Sequence, residues 1–233
     1  MEQAAKIFLS DERGVTQLEW FRSFTTFNFG NYQTKYKTPV SRLYVLNDDI
    51  LAGGKSMNLG VEENSILILL PVVGAFEYRD STGNTSITDA GCLQSVLLAA
   101  GSSYTITNPY ANDLVNFLQL WIKVENAFSG NAFQKFSFNL DEHKNHFISS
   151  ALEAGVVFHI AKLSGRQQST VPFSNNTTAA FAFVIEGAFE LEERLLHARD
   201  GLALWNCQQA EMEALSNDAI ILILEMINQE VSA

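Results

Sequence analysis

The sequence predicts an all-β chain built as two tandem antiparallel barrels, and three observations carry that prediction. A short phrase recurs: Val73-Gly74-Ala75-Phe76-Glu77-Tyr78 returns as Glu186-Gly187-Ala188-Phe189-Glu190-Leu191, with Gly187 following Gly74 by 113 residues. Each copy then leads through a turn into another apolar run. These are Asp89-Ala90-Gly91-Cys92-Leu93 and Asp200-Gly201-Leu202-Ala203-Leu204, with Gly201 following Gly91 by 110 residues. Two nearly equal offsets mark a duplicated module of about half the chain, with a shorter loop in the second copy. Helix signals are poor, while short runs of Val, Ile, Leu, Phe, Tyr and Thr alternate with Gly, Asn, Asp and Ser clusters. That spacing belongs to sandwiches and barrels.

Taken in order, a short helix is expected at 18–21 and the first strand at 42–46. Strands follow at 65–70, 75–79, 85–88, 93–98, 103–107 and 115–124. Asp80-Ser81-Thr82-Gly83-Asn84 reads as a tight hairpin, with Gly83 or Asn84 suited to positive φ. Pro71 cannot donate to a ladder, so a bend, edge or bulge is expected there. The stretch 126–150 mixes Asn, Gly, Ser, Phe and charge and reads as a connector, with a turn near 141–149. The second set runs 156–161, 179–185, 188–192, 201–205, 211–215 and 219–226. The domains are therefore an N-terminal barrel at 1–125 and a C-terminal barrel at 151–233, whose first strands the N-terminus or the connector can supply.

With 233 residues, 47% of them hydrophobic, the chain can bury two cores. Its net charge of −11 argues against a nucleic-acid or anionic-membrane surface, which needs a basic face. The longest apolar run, 66–73, is too short to span a bilayer as a helix and contains Pro71. Met1-Glu2-Gln3-Ala4-Ala5-Lys6 has no basic segment leading into an apolar core, so a cytoplasmic protein is expected. Cys92 and Cys207 occupy unlike places in the two copies and read as separate thiols in a reducing compartment.

A family likeness lies in a series of phrases that keep their order. Trp20-Phe21-x-Ser23-x-x-Thr26-Phe27-x-Phe29 comes first, then Arg42-Leu43-x-Val45-Leu46-Asn47-Asp48-Asp49. Gly74-Ala75-Phe76-Glu77-Tyr78-Arg79-Asp80-Ser81-x-Gly83-Asn84 follows, then Asn108-Pro109 and Phe117-Leu118-Gln119-Leu120-Trp121-Ile122. Asp200-Gly201-Leu202-Ala203-Leu204-Trp205 closes the series. Together they resemble the pirin family of bicupins, particularly its short bacterial members, over nearly the whole chain. The resemblance implies two jelly-roll-like cupin barrels. It also implies an iron or other divalent transition metal in the N-terminal barrel, held by His-x-His and His-x-Glu, and in some members quercetin 2,3-dioxygenase activity.

This chain departs from that pattern at every ligand position. Counted back from Gly74, the two His fall at Gly60 and Glu62, or with a one-residue slip at Leu59 and Val61. Counted back from Asn108-Pro109, the His and Glu fall at Tyr104 and Ile106. A redox metal site needs several strong donors, usually imidazoles with a carboxylate. No metal cofactor is therefore expected. Tyr104, Glu62, Gln119, Trp121 and Tyr78 are expected to line what remains of the pocket with Gly60 and Ile106, and Tyr104 to hydrogen-bond Gln119 or Glu62. Asn47-Asp48-Asp49 reads as a structural turn. His143 and His146, beside Asp141 and Glu142, read as a solvated connector, His159 as a hydrogen-bonded strand residue, and His197 as part of a hairpin loop. No catalytic residues are assigned. The function expected is binding of a small molecule or protein by a monomer, without nucleic acid or membrane. The alternative is a quercetinase-type dioxygenase with unusual or relocated ligands.

Overall fold

The computed structural model describes residues 4–125, 133–175 and 177–227, and among these the only helical elements are two single 3-10 turns, Ser10–Glu12 and Glu153–Gly155. The rest is strand and loop, arranged in two compact units, Arg13–Phe138 and a second made of Met1–Glu12 with Asn139–Ala233.

In the first unit a seven-stranded antiparallel sheet runs in the spatial order Phe133–Ser137, Cys92–Leu98, Ser65–Val73, Val115–Lys123, Leu43–Leu51, Phe21–Thr25, Gly14–Gln17. A four-stranded sheet runs Ser56–Gly60, Ser103–Thr107, Ala75–Asp80, Thr85–Asp89. Successive residues of a strand point to opposite faces, so one set of alternate side chains fills the interior. That interior includes Val45, Leu51, Leu67, Leu69, Phe76, Tyr78, Tyr104, Ile106, Phe117 and Trp121. Pro71 sits beyond the last residue that pairs with Cys92–Leu98, where no ladder partner needs its missing N–H, and the register against Val115–Lys123 shifts beside it.

The second unit repeats the plan. Its six-stranded sheet runs Ala4–Phe8, Gly201–Trp205, Thr177–Glu186, Ala219–Ile227, Val156–Leu163, Ile148–Leu152, and its four-stranded sheet Gln168–Pro172, Gln209–Ala214, Ala188–Leu191, Arg194–His197. Phe76 and Phe189 both stand on the third strand of their four-stranded sheets, and both are fully buried. Gly74 and Gly187, which enter those strands, have φ of +78° and +80°. The repeated phrase therefore marks one turn and one inward ring, used twice.

Several expectations need correction. The boundary at residue 1 moves, and the N-terminus supplies a strand to the C-terminal barrel as the sequence allowed: Ala4–Phe8 pairs with Gly201–Trp205 and occupies the edge place that Phe133–Ser137 holds in the other unit. The supposed connector carries Phe133–Ser137 and Ile148–Leu152; residues 126–132 of it lie outside the described residues. Mixed polar composition hid these edge strands, which need only one apolar face. No helix forms at 18–21, where Phe21 opens a strand. Asn47-Asp48-Asp49 is no turn but the middle of Leu43–Leu51, paired on both sides. The shortened hairpin is the two-residue Glu192-Glu193 turn, both at positive φ, so His197 ends a strand rather than sitting in that loop.

Replacing either turn glycine with alanine forces a side chain into the left-handed region. At Gly187 the new Cβ would also meet Ser216 Oγ at 2.3 Å and the Ala219 backbone at 3.0 Å, whereas at Gly74 it meets only side-chain atoms of Tyr110 and Val115 at 3.1 Å. Gly187→Ala is expected to cost more than Gly74→Ala, by about 1 kcal/mol or more, in urea unfolding of the two variants.

Candidate functional site

The strands that carry the expected ligand positions converge inside the N-terminal barrel. Ser103–Thr107 lies between Ser56–Gly60 and Ala75–Asp80, with Tyr104 opposite Leu59 and Ile106 opposite Met57 on one side and Tyr78 on the other. Directly opposed residues of an antiparallel pair share a face. Tyr104, Ile106, Met57 and Tyr78 are all buried, so this face is the inner one. Leu59 packs against the same core and Val61 is part of it.

Gly60 and Glu62 are exposed. The assignment of these two residues as pocket lining is therefore corrected by one residue: the strand turns Leu59 and Val61 inward. The pleat decides this, because a slip of one residue exchanges the two faces. Tyr104, Ile106, Gln119, Trp121 and Tyr78 lie together, buried on one inner face.

The tyrosine is the hub. Its ring stacks on Tyr78 at a centroid separation of 5.9 Å and meets Trp121 edge-on at 6.0 Å. Trp121 in turn meets Phe29 at 5.8 Å and Tyr44 at 6.0 Å, both edge-on. The Tyr104 hydroxyl donates to Gln119 Oε1, and Gln119 Nε2 donates to Asp49 Oδ2. A second phenol, Tyr78, donates to Asp80 Oδ2 at 3.0 Å, and that carboxylate also accepts from Thr82 and Asn84 across the hairpin.

Electrostatics follow from burial. Asp49 is fully enclosed, which pushes its carboxyl up to about 7; hydrogen bonds from Ser23 and Gln119 oppose the rise and the charge of Asp48 adds to it. Asp48 is itself held by Arg13 at 3.2 Å and by Asn116 at 2.7 Å. Burial, and then the Asp49 charge, drive the Tyr104 phenol well above its ordinary range, so it is a neutral donor.

Asp49 escaped the sequence reading because three polar residues in a row look like a turn. The usable signal was the alternation Val45, Asn47, Asp49, Leu51, which puts the two polar side chains on the inner face.

These residues do not fit a divalent transition metal. The inner face offers Leu59, Val61 and Ile106, a neutral phenol, and an amide and a carboxyl bonded to each other. Among the described residues no three His, Cys, Asp or Glu side chains stand close enough to share an ion. The connector histidines bond locally, His143 Nδ1 to the Asn139 carbonyl at 3.0 Å and His146 Nδ1 to the Lys144 carbonyl at 3.1 Å, while Asp141 pairs with Lys162. His197 is exposed. Cys92 and Cys207 are partly buried thiols, and Cys92 Sγ lies 3.3 Å from Ser137 Oγ.

Two β-units, each made of one larger antiparallel sheet and one four-stranded sheet on the same strand plan, define a two-barrel protein of the cupin class. Residues 9–122 match the family model described as Pirin, and residues 143–226 match that of the Quercetinase C-terminal cupin domain. The chain belongs to the pirin family of bicupins. It is 24% identical over 221 residues to quercetin 2,3-dioxygenase of Escherichia coli K12, covering 91% of this chain and 95% of that one. Its fold is similar to that of YhhW from Escherichia coli, with a TM-score of 0.85 at 20% identity, over 97% of this chain and 99% of that one. A structure of bacterial pirin YhhW in complex with nickel(II) gives a TM-score of 0.82 at 20% identity, over 97% of this chain and 100% of that one.

Two outcomes are expected from variants of this chain of hydrogen bonds. Tyr104→Phe leaves Gln119 Oε1 without its donor and should cost about 1–3 kcal/mol, and Tyr104→Ala about 3–5 kcal/mol as a cavity opens, both in urea unfolding. Asp49 carries a proton in the folded chain that the unfolded chain releases above about pH 4. Stability should therefore fall as pH rises from about 4 to about 7, by an amount on the order of 4 kcal/mol, then level off. In Asp49→Asn that slope should disappear.

Proposed function

We propose that this bicupin works without a metal in its N-terminal barrel, and that it serves as a binding protein rather than an oxygenase. The observation that carries this reading is the filled inner face: Leu59, Val61, Tyr104 and Ile106 stand where the family places its ligands, and the phenol is tied to Gln119 and Asp49. An oxygenase of this type has to bring a flavonol and dioxygen onto an open coordination position. A packed aromatic cluster offers neither the donors nor the room. Its value is rigidity, which favours recognition of a small molecule or a protein through the loops and outer faces that the barrel holds in place.

A second reading rests on the likeness to quercetin 2,3-dioxygenase over most of both chains. In that case a metal has to be held by residues outside the family pattern, and the chain should oxidise a flavonol.

The two readings separate on protein purified without chelator. The binding reading expects well under one equivalent of iron, nickel, copper or manganese per chain by elemental analysis, and no oxygen uptake with quercetin. Near-stoichiometric metal together with quercetin-dependent oxygen uptake would overturn it.

A further inference from the structure

The C-terminal barrel encloses a polar group of a different kind. Ala161 and Leu163 of one strand and Ala219, Ile221 and Ile223 of its neighbour belong to the inner core. Alternation carries the same face on to His159 in the first strand and to Glu225 in the second. Both are buried, at 6% and 3% exposure. His159 pairs with Ile223 on one side and with Ser149 of the edge strand on the other. A lone charged residue inside the apolar run Ala219–Ile227 was the sequence signal for this group.

The contacts form a line from interior to surface. Glu225 Oε1 accepts the Ser174 backbone N–H at 2.7 Å and the Thr177 hydroxyl at 2.5 Å. Glu225 Oε2 lies 3.3 Å from His159 Nε2, and His159 Nδ1 lies 2.7 Å from Ser149 Oγ. Burial acts to raise the Glu225 carboxyl, but the bonds from His159, Thr177 and Ser174 outweigh it and hold the group below its ordinary value. A carboxylate accepts only, so Nε2 carries the imidazole proton and Nδ1 presents its lone pair to the serine hydroxyl. Ser149 is exposed, and only its base and the carboxylate behind it are enclosed.

We propose that Ser149 is a nucleophilic serine, with His159 as its general base and Glu225 as the positioning residue, and that it accepts an acyl group from activated acyl esters. The arrangement follows the logic of acid–base–nucleophile triads, with the two imidazole nitrogens exchanged. Ser149 Oγ attacks the acyl carbonyl while its proton passes to His159 Nδ1. The bond from the acyl carbon to the leaving oxygen breaks, and that oxygen takes the proton from His159. The products are O-acyl-Ser149 and one alcohol, with no change in oxidation state. Nothing in this step involves the N-terminal barrel, so it is independent of the reading proposed for that barrel.

The test uses the intact chain with p-nitrophenyl acetate and, separately, an alkyl fluorophosphonate. Release of p-nitrophenol and peptide mass mapping report the rate and the site. One adduct per chain is expected on Ser149 and none on Ser150, the next residue of the same strand, whose side chain points to the opposite face. Ser149→Ala should lose the adduct while the chain stays folded. His159→Gln should acylate about a hundredfold more slowly, and His159→Ala should regain part of the rate with added imidazole. Glu225→Gln should slow acylation, since the carboxylate that holds the imidazole by Nε2 is gone, and Glu225→Asp should restore part of the rate. Should the His159 or Glu225 variants fail to fold, the labelling site in the unaltered chain and in Ser149→Ala still decides. Label absent from Ser149, label shared equally with Ser150, or an unchanged rate in a folded His159→Gln would overturn the proposal and leave the group as a fastening of the edge strand.

Discussion

A closed antiparallel sheet turns every second side chain into a space that has to be filled, and a polar group there has to find its partner inside. Asp49 is the severest case in the N-terminal barrel. It is fully enclosed, on a strand paired along both edges, and its Oδ2 is satisfied by Gln119, which has its other end on Tyr104. The placement of Tyr104 then fixes the stack on Tyr78 and the edge contact with Trp121. One buried carboxyl thus sets the orientation of an amide, a phenol and an aromatic cluster drawn from four strands.

The same constraint is met differently in the C-terminal barrel. Its inner core is almost wholly aliphatic and aromatic, and its polar group sits where a core strand continues past the apolar positions. There the buried carboxylate faces an imidazole rather than an amide, and the chain of contacts ends on an exposed hydroxyl. A duplicated plan of strands therefore does not imply a duplicated site. The backbone arrangement is shared, while the inward residue types differ, and chemistry depends on the latter.

Membership of the pirin family and the likeness to a quercetin dioxygenase describe the shared plan. The inner face of the first barrel differs from the family's ligand pattern in charge and in donor type. Leu59, Val61 and Ile106 make it apolar where imidazoles and a carboxylate are the pattern. Apolar walls around a hydrogen-bonded phenol favour a neutral, packed interior over an ion, because an ion there would have to be stripped of water without replacement donors.

The sequence alone determined the class of fold, the duplication and the family. Each of these rests on local pattern: short β-rich runs, a glycine-bearing turn used twice, and an ordered series of phrases. It also showed that no histidine precedes His143 in the chain. It did not determine which of two adjacent residues faces inward at 59–62, because a one-residue slip is invisible until a neighbouring strand fixes the register; pairing of Leu59 with Tyr104 settled that. Nor did it assign Ala4–Phe8 to the C-terminal barrel, or place Asp49 behind Gln119 and Glu225 behind His159. Those depend on contacts between residues far apart in the chain, which only the tertiary structure brings together.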